Sequence, residues 1–197
     1  MSVANGYCTL AALKNRLAIT TTASDAALER VIEAVSRQID AWTNRRFYAV
    51  SETRYYTAEY HDYLDVDDVV SVTSVVVDTG GDRTYPHTMG STTYDLLPHN
   101  APLNAEPYTA IQTNDLATLS FPLTSKGVKV TGAFGFCQTA SERSDIVEAC
   151  LLQSMRLWRR KDAPFGVAGV SEMGQAIVIS RLDPDVQQLI SRYRRLV

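Results

Sequence analysis

The sequence predicts an α+β fold: a small helical bundle built from both chain ends, with a β-rich insertion between them. Three observations carry this. Residues 9–46 repeat apolar side chains at helical spacing, and so do residues 141–163 and 183–197. Between them, residues 50–137 turn to a Tyr-, Val- and Thr-rich composition suited to pleated surfaces. Prolines at 86, 98, 102, 107 and 122 punctuate that middle segment as edges and loops. The expected division is a helical core from 1–49 and 138–197, and a β-rich insertion over 50–137.

The first helix opens in "TLAALKNRLAI", with Thr9 as N-cap and Leu10, Leu13 and Leu17 on one face. "TTTAS" breaks the pattern, and a longer helix follows with Leu28, Val31, Ile32, Val35, Ile39 and Trp42 on its apolar stripe. Asp25 and Glu29 near its start and Arg45 and Arg46 near its end match the helix macrodipole.

The insertion begins with "SETRYYTAEYHDYLDVDDVVSVTSVVV", read as strand. Gly80-Gly81 followed by Asp82 suits a hairpin. "TTYDLLP", "YTAIQT", "ATLSFP" and "KGVKVTGAFGF" are expected as further short strands, about six in all.

Helix returns at Ser144, read as an N-cap, with Val147, Cys150, Leu151, Ser154, Leu157 and Trp158 as its stripe. "PFGVAGVSEMG" is glycine-rich and expected to be flexible, and "QAIVIS" suits a strand. Asp183 as N-cap and Pro184 at the first position start a short helix. It presents Val186, Leu189, Ile190, Tyr193 and Leu196 on one side. At about 1.5 Å per residue it is roughly 20 Å long, and a helix that short needs a packing partner. Its own core is the favoured partner on residue pattern alone, although an Arg-tipped amphipathic helix after a glycine-rich link also describes a docking peptide.

Net charge is −3, which argues against a polybasic nucleic-acid binder. The charge is uneven. Residues 151–197 carry eight Lys and Arg against four Asp and Glu, whereas residues 1–150 carry eleven against eighteen. A basic end and an acidic body suit head-to-tail contacts. Cys8, Cys137 and Cys150 have no C-x-x-C spacing and are expected to be reduced, mostly buried thiols. The first residues lack a basic and then apolar leader, and no apolar run is long enough to span a membrane. The expectation is a soluble intracellular protein.

Few groups converge for catalysis. His61, His87 and His99 sit beside turn residues and read as surface, and neither G-x-S-x-G nor H-E-x-x-H occurs. The run of His61, Asp62, Asp65, Asp67 and Asp68 lacks the Gly and closing Glu of an EF-hand and reads as a solvated strand edge or turn. Gly166, Gly169 and Gly174 do not form a phosphate cradle. Arg156, Arg159, Arg160 and Lys161 make the densest basic cluster, placed where cations suit a helix C-terminus. The residues imply no enzyme, cofactor or metal. The alternatives are a ligand- or carbohydrate-binding module carried by the insertion, and an enzyme built on the acidic run with His61.

The two flanking segments together resemble the head–tail connector, or adaptor, proteins of long-tailed bacteriophages and related gene transfer agents. The pattern is a short Leu-rich helix, an "I-T" break, a helix opening D-x-x-L and then "ID-x-x-T-x-R-x-F". Here it falls on Leu10, Leu13, Leu17, Ile19, Thr20, Asp25, Leu28, Ile39, Asp40, Thr43, Arg45 and Phe47. "DIVEACLLQSMRLWRRKDAPFGVAGVSEMG" followed by "LDPDVQQLISRYRRL" is similar to the second half. The likeness covers roughly half the chain, and the long β-rich middle departs from the smaller members. The resemblance implies a structural virion protein in the neck, made in the bacterial cytoplasm. It implies a ring, typically of twelve copies, beneath the portal vertex, which extends the channel for double-stranded DNA without sequence-specific binding. The implied partners are the portal protein, other copies of the chain, and stopper or tail proteins, with no membrane. The segment that reaches the portal or a neighbouring subunit would then hold Val186, Leu189, Ile190, Arg192, Tyr193, Arg194, Arg195 and Leu196, with the basic cluster at a subunit interface.

Overall fold

The computed structural model describes residues 5–160, 167–170, 176–178 and 182–195. They form an α+β structure of two compact units: Met1–Arg45 with Ala140–Val197, and Arg46–Thr139. The joints fall at 45/46 and 139/140 rather than at 49/50 and 137/138. The shift follows from pairing within the second unit: the Phe136 amide donates to the Arg46 carbonyl at 2.7 Å, and the Phe47 and Phe136 rings pack with centroids 5.3 Å apart.

The helical unit holds α1 (Leu10–Leu17), α2 (Asp25–Thr43), α3 (Ser144–Arg160) and α4 (Pro184–Ile190). Thr9 caps α1 by accepting from the Ala12 amide at 3.1 Å, and the helix stops where Ala18 turns left-handed at φ 56°. Lys14 pairs with Asp25 across the break at 2.6 Å. On α2, Leu28, Ile32, Val35 and Ile39 are fully buried at spacings of four, three and four, and Val31 and Trp42 flank the stripe half-buried. The buried hydroxyls of Ser36 and Thr43 donate back to the carbonyls of Ile32 and Ile39, at 2.7 and 2.8 Å.

Helix α3 packs against α1, α2 and α4. Its buried face is therefore wider than one stripe and consists of Ile146, Ala149, Cys150, Leu151, Gln153 and Ser154. Val147, Leu157 and Trp158 are half-buried, and Ser144 is the first helical residue rather than the cap. After α3, β7 (Val167–Val170) pairs antiparallel with β8 (Ala176–Val178). Gly169 lies in β7, while Gly166 and Gly174 lie outside the described residues.

The second unit is a six-stranded antiparallel sheet of β1 (Val50–Tyr56), β2 (Tyr63–Val77), β3 (His87–Met89), β4 (Tyr94–Leu97), β5 (Tyr108–Thr113) and β6 (Val128–Phe134). The order is β1-β6-β2-β5-β4, with β3 on β2. The first part of β2 pairs with β5 and the remainder with β6 and β3, so this 15-residue strand is the spine of the sheet. One face alternates inward through Val128, Val130 and Phe134 on β6 and Leu64, Val66, Val75 and Val77 on β2, joined by Ile111 and Phe121. The turn beyond β2 spans residues 78–86, where the Asp78 carboxylate accepts from the Gly81 and Arg83 amides at 2.8 and 2.7 Å.

Two expectations change here. "ATLSFP" forms no strand; it is an irregular segment that delivers Phe121 into the core and pairs its amide with the His61 carbonyl at 2.8 Å. The acidic run divides: His61 and Asp62 lie in the bend before β2, while Asp65, Asp67 and Asp68 lie on β2, a central strand rather than an edge. Alternation turns Asp65 outward while Leu64 and Val66 point in, and Asp68 is buried.

Candidate functional site

The sequence singled out α4 and the residues after it. Asp183 accepts from the Asp185 amide at 3.0 Å through one carboxylate oxygen, and pairs with Arg156 through the other. Pro184 occupies the first turn, where its missing amide costs nothing. Buried Gln153 on α3 accepts from the Asp183 amide at 3.3 Å and donates to Gln38 Oε1 at 3.3 Å. The start of α4 is thus clamped by α3.

Leu182, Val186, Ile190 and Tyr193 all turn into this same unit, and Tyr193 is only 5% exposed. Three of the residues assigned to an outside partner, Val186, Ile190 and Tyr193, are therefore used inside the chain's own helical unit. Spacing alone could not separate the two outcomes, because an apolar stripe looks the same whichever surface covers it.

The chain beyond α4 is tied down by polar contacts. Tyr193 donates its hydroxyl to Asp145 Oδ2 at 2.7 Å, and Arg192 pairs with the same oxygen at 2.8 Å. The Arg194 guanidinium lies over the Trp42 ring, 5.5 Å from its centroid. The Arg195 amide donates to the Thr43 carbonyl at 2.8 Å, and Asn44 Nδ2 donates to the Arg195 carbonyl at 3.2 Å. Burial pushes the Tyr193 phenol above its usual range, and Asp145 reinforces the shift.

What α4 leaves outward is a short row. Asp185 and Gln188 are exposed, Leu189 is half-buried, and the three line a shallow open depression. Arg192 and Arg194 are exposed beside it in sequence, and Arg195 is half-buried. Leu196 lies outside the described residues. The basic cluster is divided in use: Arg156 serves Asp183, Arg159 is exposed and Arg160 is half-buried, while Lys161 lies outside the described residues.

His61 and two carboxylates of the acidic run make contacts within the sheet unit. His61 Nδ1 lies 3.0 Å from the Phe121 carbonyl, an anchoring contact for the irregular segment. Asp65 accepts from Tyr63 at 3.1 Å, and Asp67 is taken up by Arg54 at 2.6 Å and Tyr56 at 3.1 Å. Among the described residues, no group of three or more His, Cys, Asp and Glu is placed to hold a metal. Cys8, Cys137 and Cys150 are all buried and outside any disulfide, and Cys137 donates to the Phe47 carbonyl at 3.4 Å. Among the described residues, no helix is long and apolar enough to cross a membrane.

Other outward features lie in the sheet unit and were not singled out from sequence. Leu103 is 85% exposed, Leu116 68% and Tyr60 61%. Leu103 and Leu116 sit in loops flanking β5, where the only sequence signal was an apolar residue among turn formers. Charge also divides by unit: the helical unit holds fourteen Lys and Arg against eleven Asp and Glu, and the sheet unit five against eleven.

No protein-family model matches the chain. No curated protein matches it either. Solved structures do. A chain from the neck of an empty gene transfer agent particle, computed with C6 symmetry, superimposes with a TM-score of 0.63 at 21% identity, covering 100% of this chain and 94% of that one. A chain from the neck of a native gene transfer agent particle, computed with C12 symmetry, gives 0.61 at 18% identity, with 100% and 93% covered. A chain from the virion of a native gene transfer agent particle gives 0.61 at 20% identity, with 95% and 89% covered. Identities of 18–21% establish the fold: from end to end, this chain is built like chains found in gene transfer agent necks.

Proposed function

We propose that this chain is a structural, non-enzymatic virion protein of a phage-like particle. It forms a ring under the portal vertex, extends the DNA channel and connects head to tail. The observation that supports this most is the full-length likeness to neck chains resolved with C6 and C12 symmetry, which suits a ring of twelve copies.

A closed ring requires a heterologous interface, in which one face of each copy meets a different face of the next. A helical unit of net +3 and a sheet unit of net −6 suit such an arrangement. Individually weak contacts suffice, because every added copy meets a partner already held in place.

The contact with the portal protein falls on the outward row of α4: Asp185, Gln188 and Leu189, continued by Arg192 and Arg194. Val186, Ile190 and Tyr193 support that row from beneath rather than inserting into the partner. Arg159, Arg160 and Lys161 meet protein. A lumen that gripped phosphates would slow the passage of double-stranded DNA, which this chain surrounds without reading its sequence. Stopper or tail proteins bind the opposite end of the ring.

Mixing the purified chain with the portal protein of the same particle tests the reading. Rings coaxial with the portal are expected from the unmodified chain and are lost with Leu189→Asp, while both remain folded.

A further inference from the structure

Two sulfur atoms far apart in sequence meet in the helical unit. Cys8 Sγ lies 3.3 Å from Cys150 Sγ, across 142 residues of chain. Cys8 precedes α1 and is 7% exposed; Cys150 sits in the middle of α3 and is fully buried. Neither is in a disulfide.

The surroundings hold the pair together. The Tyr7 amide donates to Ser36 Oγ at 3.0 Å, and the Tyr7 hydroxyl donates to Asp40. Arg37 reaches the Asn5 carbonyl at 3.2 Å. The segment carrying Cys8 is therefore pinned along α2 at three points. Ser36 gives its own proton to the Ile32 carbonyl, its oxygen lies 3.7 Å from Cys150 Sγ, and Ser154 Oγ lies 3.9 Å from the same sulfur. A disulfide bond is about 2.05 Å long, so the two sulfurs, 3.3 Å apart, must draw closer to bond. The third thiol, Cys137, belongs to the sheet unit and is engaged with the Phe47 carbonyl.

We propose that Cys8 and Cys150 are an oxidative cross-linking site, which a mild oxidant such as hydrogen peroxide converts from two thiols to one intramolecular disulfide. The bond the two thiols share raises Cys8 above the usual thiol range, with burial adding to it, and the same bond lowers Cys150. One of the two thiols ionises, its thiolate attacks one peroxide oxygen, the O–O bond breaks, and hydroxide leaves a sulfenic acid behind. The other sulfur then attacks the sulfenic sulfur, the S–O bond breaks, and hydroxide departs again. Both hydroxides take up the thiol protons as water, so two electrons pass from sulfur to peroxide and two waters form. The product staples the segment before α1 to α3 and closes a long loop, which restricts the unfolded chain. This inference does not depend on the neck reading.

The test is intact-mass and peptide mass spectrometry of the folded, full chain before and after limiting hydrogen peroxide. The expected result is loss of two hydrogens per chain and a linked pair of peptides containing Cys8 and Cys150. Dithiothreitol should reverse it, Cys137→Ser should leave it intact, and Cys8→Ala and Cys150→Ala should each abolish it. The oxidised chain should melt about 5–10 °C higher, as expected for a long closed loop in a chain of this size. No mass loss in the folded chain, gain of oxygen on either sulfur without a link, or cross-links between chains would each overturn it. Because the reading is taken on the unmodified chain, a variant that fails to fold does not decide the outcome.

Discussion

The Tyr193 hydroxyl donates to the Asp145 carboxylate at 2.7 Å, joining the chain beyond α4 to the first turn of α3. Asp145 also favours the positive end of the α3 dipole. Removing the hydroxyl with Tyr193→Phe forfeits a hydrogen bond to a charged group and should cost about 1.5–3 kcal/mol. Tyr193→Ala adds a cavity and should cost about 3–5 kcal/mol. Urea unfolding followed by helical circular dichroism reads both. Burial raises the Tyr193 phenol in the folded chain, so the neutral form is the one the fold stabilises. That contribution is complete below the ordinary tyrosine value of about 10 and is lost as pH rises beyond it. Tyr193→Phe should flatten that alkaline loss.

The two sides of α4 should respond oppositely to mutation. Ile190→Ala empties a fully buried position and should cost about 2–5 kcal/mol. Leu189→Asp changes an outward, half-buried one and should alter stability by about 0.5 kcal/mol or little more. Truncation before Pro184 removes Val186, Ile190 and Tyr193 together, so the helical unit should melt far earlier or fail to fold. Differential scanning calorimetry of the three variants gives the ranking.

Gly132 on β6 lies between β1 and β2, and a Cβ there would meet the Ser71 carbonyl oxygen at 2.4 Å. Backbone on a central strand cannot step aside cheaply. Gly132→Ala should therefore destabilise the sheet unit by about 2–4 kcal/mol. Thr131→Ala beside it faces the open side of the sheet, and its loss should be much smaller. Denaturant midpoints of the two variants decide this.

The sheet unit should weaken in acid through Glu52. Burial alone would raise its carboxyl, but hydrogen bonds from Arg46 and Arg54 outweigh burial and hold it below the usual glutamate range. Arg46 reaches Glu52 Oε1 at 2.9 Å, and Arg54 Nε reaches the same atom at 2.9 Å. A depressed carboxyl contributes stability above its unfolded value, near 4.3, and loses it as pH falls toward the folded one. Melting temperature measured from pH 7 to pH 3 should fall less steeply in Glu52→Gln than in the unmodified chain.

Much of the architecture was legible in the residues. Thr9 and Asp183 announced two helix starts, and both carboxylate or hydroxyl oxygens accept the expected amides. The apolar spacing from Leu28 to Ile39 picked out the buried face of α2. "ATLSFP" misled because a buried Phe in an irregular segment carries the same local signal as one in a short strand. The fate of α4 was harder still. Its stripe required a cover, but whether α3 or another molecule supplies it depends on contacts 48 residues apart, as between Asp145 and Tyr193. The Cys8–Cys150 encounter, across 142 residues, left no mark in spacing at all.

The proposed neck role is tested most directly by cryo-electron microscopy of the full chain mixed with the portal protein of the same particle. The expected result is a ring of this chain, twelve copies around one axis, seated on the portal with the Asp185–Gln188–Leu189 row against it. Particles in which the portal stands bare at saturating chain concentration would contradict the account, and so would a ring that contacts the portal through the sheet unit alone.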